Sequence, residues 1–368
     1  MSKQVSISRR NKDHQGRGLT STRRRPLRRA VLVTTAAMTV AIAAAGTPAS
    51  ASQQETGQIH AKPSTVLQRA AAPAPASAAA SAVCTKNQIS INRFSACQWL
   101  TVHFDIYKQV AGKPSLRGTV EFDVKHKMTL AAKSTTWSET LELTKARTTG
   151  VGKGSKISLA SASKSGTKAK VTFAQGRTLD TPARGSVSYT TGAIAKKKAN
   201  AKTKTTYTFT ASKPGYQPGV VSYDSAAYRC DNFYGTSGCA FPDAPTGISM
   251  INQPRIAEGI RKLRERGGHY GDPHGGKPLR WMINAKQKAA NRKAVCSKTP
   301  PPADKQAGRT SCDEYPFAST YEGGTKLPAK QRTITWVNKA ENDSQGATIT
   351  NWRRAYHVMD KDPFYVIV

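Results

Sequence analysis

Acidic residues are scarce in this chain: 22 Asp and Glu stand against 57 Lys and Arg in 368 residues, a formal net charge of +35. Such an excess excludes a protein built to repel polyanions and steers anionic partners toward the surface. Long hydrophobic runs are also missing. The longest, Ala30 to Ala45, is shorter than the roughly 20 residues of a membrane span. Aromatics make up only 7% of the chain. Cysteines number six and fall in close pairs, Cys84/Cys97, Cys230/Cys239 and Cys296/Cys312. In an exported chain they predict three local disulfides, the simplest of the fifteen connectivities that six cysteines allow.

The N-terminus has the pattern of an export signal. Arg23-Arg24-Arg25 and Arg28-Arg29 precede the apolar run, and Ala49-Ser50-Ala51 supplies a small-residue cleavage site. Residues 1–51 are therefore expected to be a signal peptide, and the paired arginines permit a twin-arginine route without establishing it. Taking away its ten basic residues and one Asp leaves 47 basic and 21 acidic residues, still a net +26. Residues 52–83 are rich in Ala, Pro and Ser and predict a disordered linker.

From residue 84 to 239 the pattern has period two. Leu100, Val102, Phe104 and Ile106 alternate with polar neighbours, as do Val120, Phe122 and Val124. Further candidate strands are Trp137–Leu143, Ala169–Phe173, Ser186–Tyr189 and Thr205–Thr210. Short alternating strands separated by Gly- and Ser-rich turns predict an all-β, antiparallel, sandwich-like module. It holds 24 basic and 8 acidic residues, with Lys196-Lys197-Lys198, Lys202 and Lys204 concentrated on one expected loop. Lysine clusters of this kind suit DNA backbone or anionic cell wall, and equally suit a solvated surface. No catalytic constellation is visible there.

Residues 240–368 read as an α+β domain. Asn252 and Pro254 can open a helix that buries Ile256, Ile260 and Leu263 and stops at Gly267-Gly268. A second helix is expected over Leu279–Val295 with Ile283, Ala290 and Ala294 inward. A strand follows at Arg332–Val337, then a helix over Ser344–Met359 and a closing strand at Phe364–Val368.

This region also holds the unusual acids: Cys312-Asp313-Glu314-Tyr315-Pro316-Phe317-Ala318, then Glu322-Gly323-Gly324, Glu341-Asn342 with Gly346, and Asp362-Pro363-Phe364-Tyr365-Val366-Ile367. In this order and spacing they resemble the secreted NucA/NucB-type deoxyribonucleases over roughly residues 240–368. The resemblance implies a degenerate His-Me finger (ββα-metal) site and a secreted, metal-dependent endonuclease that hydrolyses DNA without sequence specificity, with RNA as a further substrate left open. Asp313 would be the catalytic base, with Glu314 beside it. Asn342 and Glu322 would be metal ligands, and Arg332 and Gln345 would bind substrate. Mg²⁺ or Mn²⁺ would be the cofactor, because hard cations prefer oxygen ligands.

A carboxylate stands where this chemistry usually keeps a histidine. A free Asp, with a pKa near 3.9, must be raised by burial or by Glu314 to serve as a base. His269, in the loop that also carries His274, is an alternative base. A zinc site from His269, His274, Cys296 and Cys312 would have no compact zinc spacing. Two further readings compete: an inactive wall- or polyanion-binding protein, and an antibacterial nuclease toxin.

Overall fold

The computed structural model describes residues 57–62, 68–69 and 81–368. The expected signal peptide and most of the expected linker lie outside these residues. The described residues belong to one compact unit.

Twelve strands build the N-terminal sheet. They are β1 (Gly57–Lys62), β2 (Gln68–Arg69), β3 (Gln88–Ile91), β4 (Ser95–Val110), β5 (Lys113–Thr129) and β6 (Thr136–Leu143). β7 (Arg147–Gly150), β8 (Lys156–Ser163), β9 (Thr167–Thr172), β10 (Ala183–Thr191), β11 (Thr205–Lys213) and β12 (Tyr216–Asp224) complete it. The backbone path runs β8-β11-β12-β1-β4-β5-β6-β10-β9. Instead of a sandwich of two facing sheets, one continuous sheet curls until β8 and the chain after β9 meet. Gln175 stitches that closure: its Oε1 accepts from Leu159 N at 3.0 Å and its Nε2 donates to Leu159 O at 2.8 Å. The curl lets alternate residues of the strands share one interior. Leu100, Phe104, Phe122, Val187 and Phe209 fill it.

Two features of this sheet depart from the sequence pattern. Gly57–Lys62, assigned by composition to the linker, is a strand: it pairs antiparallel with β4 and parallel with β12, and Ile59 is buried in the core. Its alternation spans too few residues to stand out in an Ala/Pro/Ser background. β4 and β5 are also far longer than the alternating cores suggested. They form a 16- and a 17-residue hairpin joined at Ala111 (φ 51°) and Gly112 (φ 75°), the two positive-φ positions that a tight hairpin turn requires.

A short pair, β13 (Arg229–Asp231) and β14 (Gly238–Ala240), leads into the C-terminal part. There β15 (Thr246–Ser249), β16 (Leu279–Arg280) and β19 (Pro363–Ile367) form a three-stranded sheet. β17 (Ser311–Tyr315) and β18 (Thr333–Val337) form a separate antiparallel pair. The helices are α1 (Pro254–Glu265), α2 (Ala285–Val295), α3 (Pro302–Gln306) and α4 (Lys339–Ala355). α1 buries Ile256, Ala257, Ile260 and Leu263 as its period demands. Gly259 lets it approach β18, since a Cβ there would lie 2.0 Å from Thr335 Oγ1.

Residues 279–284 are extended rather than helical. α2 begins only after Asn284, whose side chain accepts from Gln287 N. Ile283, Ala290 and Ala294 are exposed, and the buried face is Asn291 and Val295. α4 starts five residues earlier than the pattern indicated, capped by Asn338, so Asn342 lies inside the helix rather than at its entrance. All three disulfides join sequence neighbours: Cys84–Cys97, Cys230–Cys239 and Cys296–Cys312.

The two parts meet at a seam of buried charge. Asp362, just before β19, accepts from Arg93 Nη2 at 2.6 Å and from Arg229 Nη1 and Nη2, both at 2.9 Å. His357 bonds Asp231 Oδ1 through Nδ1 at 3.0 Å, and its Nε2 lies 2.5 Å from Ala132 O. Gly238 permits this approach, because a Cβ would stand 2.2 Å from Ala132 O and 2.6 Å from His357 Nε2. Removing one partner of such a pair strands a buried charge. The β module is therefore bonded to the C-terminal part through its interior, and is not a loosely tethered arm.

Candidate active site

Asp313 sits on β17, which is stapled at Cys312 to the end of α2 and paired through Asp313↔Thr335 with β18. Strand alternation turns Asp313 and Glu314 to different sides. Asp313 is 5% exposed and lines a cavity of about 140 Å³. Lys288 and Arg292 from α2 enter the same cavity, as do Asn342 and Gln345 from α4. Glu314 also reaches its wall, so the cavity assembles four of the residues expected from the sequence: Asp313, Glu314, Asn342 and Gln345.

The electrostatics are those of a carboxyl group held against its preference. Burial, followed by the charge of Glu314, pushes the Asp313 carboxyl up to about 8, while Gln345 and Arg292 oppose the rise. Gln345 is itself buried, yet its Nε2 meets no acceptor at ordinary hydrogen-bond geometry. Glu314 is raised as well, chiefly by burial and against the pull of Arg292. Carboxyls perturbed by burial beside an open cavity are candidates for proton transfer.

Other expected site residues stand elsewhere. Glu322 gives both oxygens to Arg280, accepting from its backbone N at 2.8 Å and its Nε at 2.9 Å, and does not line the Asp313 cavity. Arg332 lines a different cavity, on the Glu314 side of the strand pair. His269 stacks on Tyr270 with ring centroids 4.9 Å apart, and neither it nor the exposed His274 lines the Asp313 cavity. Cys296 Sγ lies 3.2 Å from Glu314 Oε2, but both sulfurs are spent on each other.

Glu341 has a structural task. Its Oε1 accepts from Arg255 N at 2.8 Å and Ile256 N at 3.1 Å, capping the first turn of α1. The cap that the sequence placed on Asn252 is thus supplied by a carboxylate 86 positions away. The same contact fixes α4, and with it Asn342 and Gln345, relative to α1, which packs on β18. Lys288 and Arg292 were not singled out in the sequence. Their signal is an i, i+4 basic pair, which on a lysine-rich helix looks like any solvated face.

Oxygen donors in the cavity, the Asp313 carboxylate and the Asn342 carboxamide, are the type that hard divalent cations choose. The donor set therefore fits Mg²⁺ or Mn²⁺, and the two nearby cations fit an anionic substrate.

Residues 274–367 match the family model described as deoxyribonuclease NucA/NucB. No curated protein and no solved structure matches the chain. The match encloses Asp313, Glu314, Asn342 and Gln345, as well as Lys288 and Arg292. A NucA/NucB-type nuclease domain thus lies at residues 274–367.

Proposed function

We propose that this nuclease domain is a metal-dependent, sequence-nonspecific endonuclease acting on DNA, exported from the cell by the N-terminal signal. The observation that carries the site is a single one: Asp313, buried and raised to about 8, opens on a cavity that also holds Lys288, Arg292, Asn342 and Gln345. Support for the substrate comes from the family match and the strongly basic chain. The succession β17, β18, α4 is the order a ββα-metal site would have, with Asp313 on the first strand and Asn342 on the helix.

In the proposed mechanism Asn342 would hold the cation, which when bound would neutralise phosphate charge and stabilise the leaving oxygen. Lys288 and Arg292 grip the non-bridging phosphate oxygens and so place the phosphorus near Asp313. Gln345 donates its Nε2 hydrogens to the same phosphate. Asp313 takes a proton from the attacking water as the new P–O bond forms, and the P–O3′ bond breaks. Glu314 keeps the Asp313 carboxyl basic through its charge. Glu322 holds Arg280 rather than metal. The β module, with its 24 basic residues, gathers DNA by backbone contacts and can also hold anionic wall.

The three disulfides fit an oxidising compartment, and no helix among the described residues is long and apolar enough to cross a membrane. The test is digestion of supercoiled plasmid and of RNA by the exported full chain, with and without EDTA, beside Asp313→Asn and Asn342→Ala. EDTA-resistant cleavage would overturn the metal dependence. An inert wild-type chain that still binds DNA or wall would favour a binding protein instead.

A further inference from the structure

A second cavity, about 280 Å³, has one lining residue, Glu314, in common with the Asp313 cavity. Phosphodiester hydrolysis as described makes no use of it. Its walls are largely apolar: Val295 closes one side, Tyr315 and Pro316 the end of β17, and Ile334 the face of β18. Ile334 is left 38% exposed there. Two polar groups converge on this apolar space. One is the Glu314 carboxyl, 6% exposed. The other is the Arg332 guanidinium, whose Nε is buried without a hydrogen-bond partner among the described residues.

We propose that this second cavity is a subsite for one nucleobase of the strand whose phosphate occupies the Asp313 cavity. The proposal rests on the nuclease reading above. Apolar walls with a few convergent polar groups are the usual makeup of a pocket for a flat organic ligand. A base offers two apolar faces and a polar rim, and it hangs from the backbone within one nucleotide of the phosphate. Two cavities that meet at one side chain match that short connection. Arg332 and Glu314, a donor and an acceptor, both line that space. The pair can bond the polar rim of a base, so the subsite rewards a base at this position without setting a sequence. A base must leave the stack to enter, so single-stranded or frayed DNA should be cut more readily than closed duplex.

The test uses the full chain and two end-labelled single-stranded oligonucleotides. They are identical except that one guanine in the second is replaced by a tetrahydrofuran abasic residue. Loss of one stacked, hydrogen-bonded base should slow scission at that position about tenfold in the wild type. In Ile334→Ser and in Arg332→Met the difference should shrink to about threefold or less, because the subsite no longer rewards the base. Both oligonucleotides should still be cut elsewhere. A wild-type difference of one, or a difference that neither variant alters, would overturn the subsite. Failure of the wild type to cut either oligonucleotide in Mg²⁺ or Mn²⁺ would overturn the nuclease reading itself.

Discussion

Two buried carboxyl groups, one in each part of the molecule, separate structure from chemistry. Glu139 lies inside the closed β sheet and is 1% exposed. Its Oε1 meets His126 Nδ1 at 2.8 Å, while Oε2 accepts from Tyr189 at 2.6 Å and Tyr207 at 2.7 Å. Burial and the Glu139 charge raise both phenols, so they stay protonated donors. Asp313 is buried almost as deeply, but it opens on a cavity, has a like charge for a neighbour, and is raised to about 8. Low dielectric strengthens a satisfied network and penalises an unsatisfied charge. A buried acid whose acceptors are all filled is therefore part of the frame, and one left reactive beside cations is part of a site.

The comparison breaks first at Glu139. Replacing it with Gln should remove the charge that both phenols bond and cost about 3 kcal/mol of stability, read by urea denaturation. Plasmid cleavage per folded molecule should be unchanged; a fall in cleavage with stability intact would show that the β module takes part in the chemistry.

The seam gives a further contrast, because Asp362 is buried yet its carboxyl lies below the usual range. Burial would raise it, but Arg93 and Arg229 more than reverse that. A folded pKa below the unfolded one contributes stability at neutral pH that is lost as pH falls from about 4 downward. Asp362→Asn should lose on the order of 2 kcal/mol at pH 7 and show a flatter acid limb in thermal melts from pH 7 to 3. Equal acid limbs would contradict the ion-pair account.

Asp313 has the opposite sign. Its raised pKa means the folded chain keeps a proton that the unfolded chain sheds, so this group's contribution is full below about pH 4 and is lost as pH rises toward 8. Asp313→Asn should therefore gain stability over the wild type as pH rises from 4 to 8, by on the order of 1–2 kcal/mol once relaxation is allowed for. Differential melts at pH 4 and pH 8 check the sign.

The smallest effect is expected at Lys288. Lys288→Ala should weaken DNA binding uniformly across sequences and lower the log–log salt slope by about 1, measured by fluorescence anisotropy in EDTA. A changed sequence preference with an unchanged slope would place Lys288 on a base instead.

Much of this was legible in the residues, for local reasons. The alternation of Leu100, Val102, Phe104 and Ile106 marks β4 because side-chain direction has period two. The close cysteine pairs marked their own disulfides, and the motif around Asp313 marked the domain. What escaped depended on distant partners. Gly57–Lys62 is a strand because β4 and β12 offer it both edges, which no window of six residues can reveal. One curled sheet and two facing sheets share the same alternation, so the closure through Gln175 was invisible. Glu341 stood in the motif beside Asn342, yet it caps a helix that begins 87 positions earlier. Lys288 and Arg292 differ from other basic residues only in where α2 is held, by Asn291 and the Cys296–Cys312 bridge.

Paired assays on Asp313→Asn test the central claim most directly: plasmid cleavage in Mg²⁺ or Mn²⁺ and thermal melting at pH 8, on the same preparation of the full chain. Cleavage should fall by about 10²–10⁴-fold while melting is unchanged or higher. Cleavage within a few-fold of wild type, or loss of cleavage accompanied by loss of the fold, would contradict a buried carboxyl kept for proton transfer.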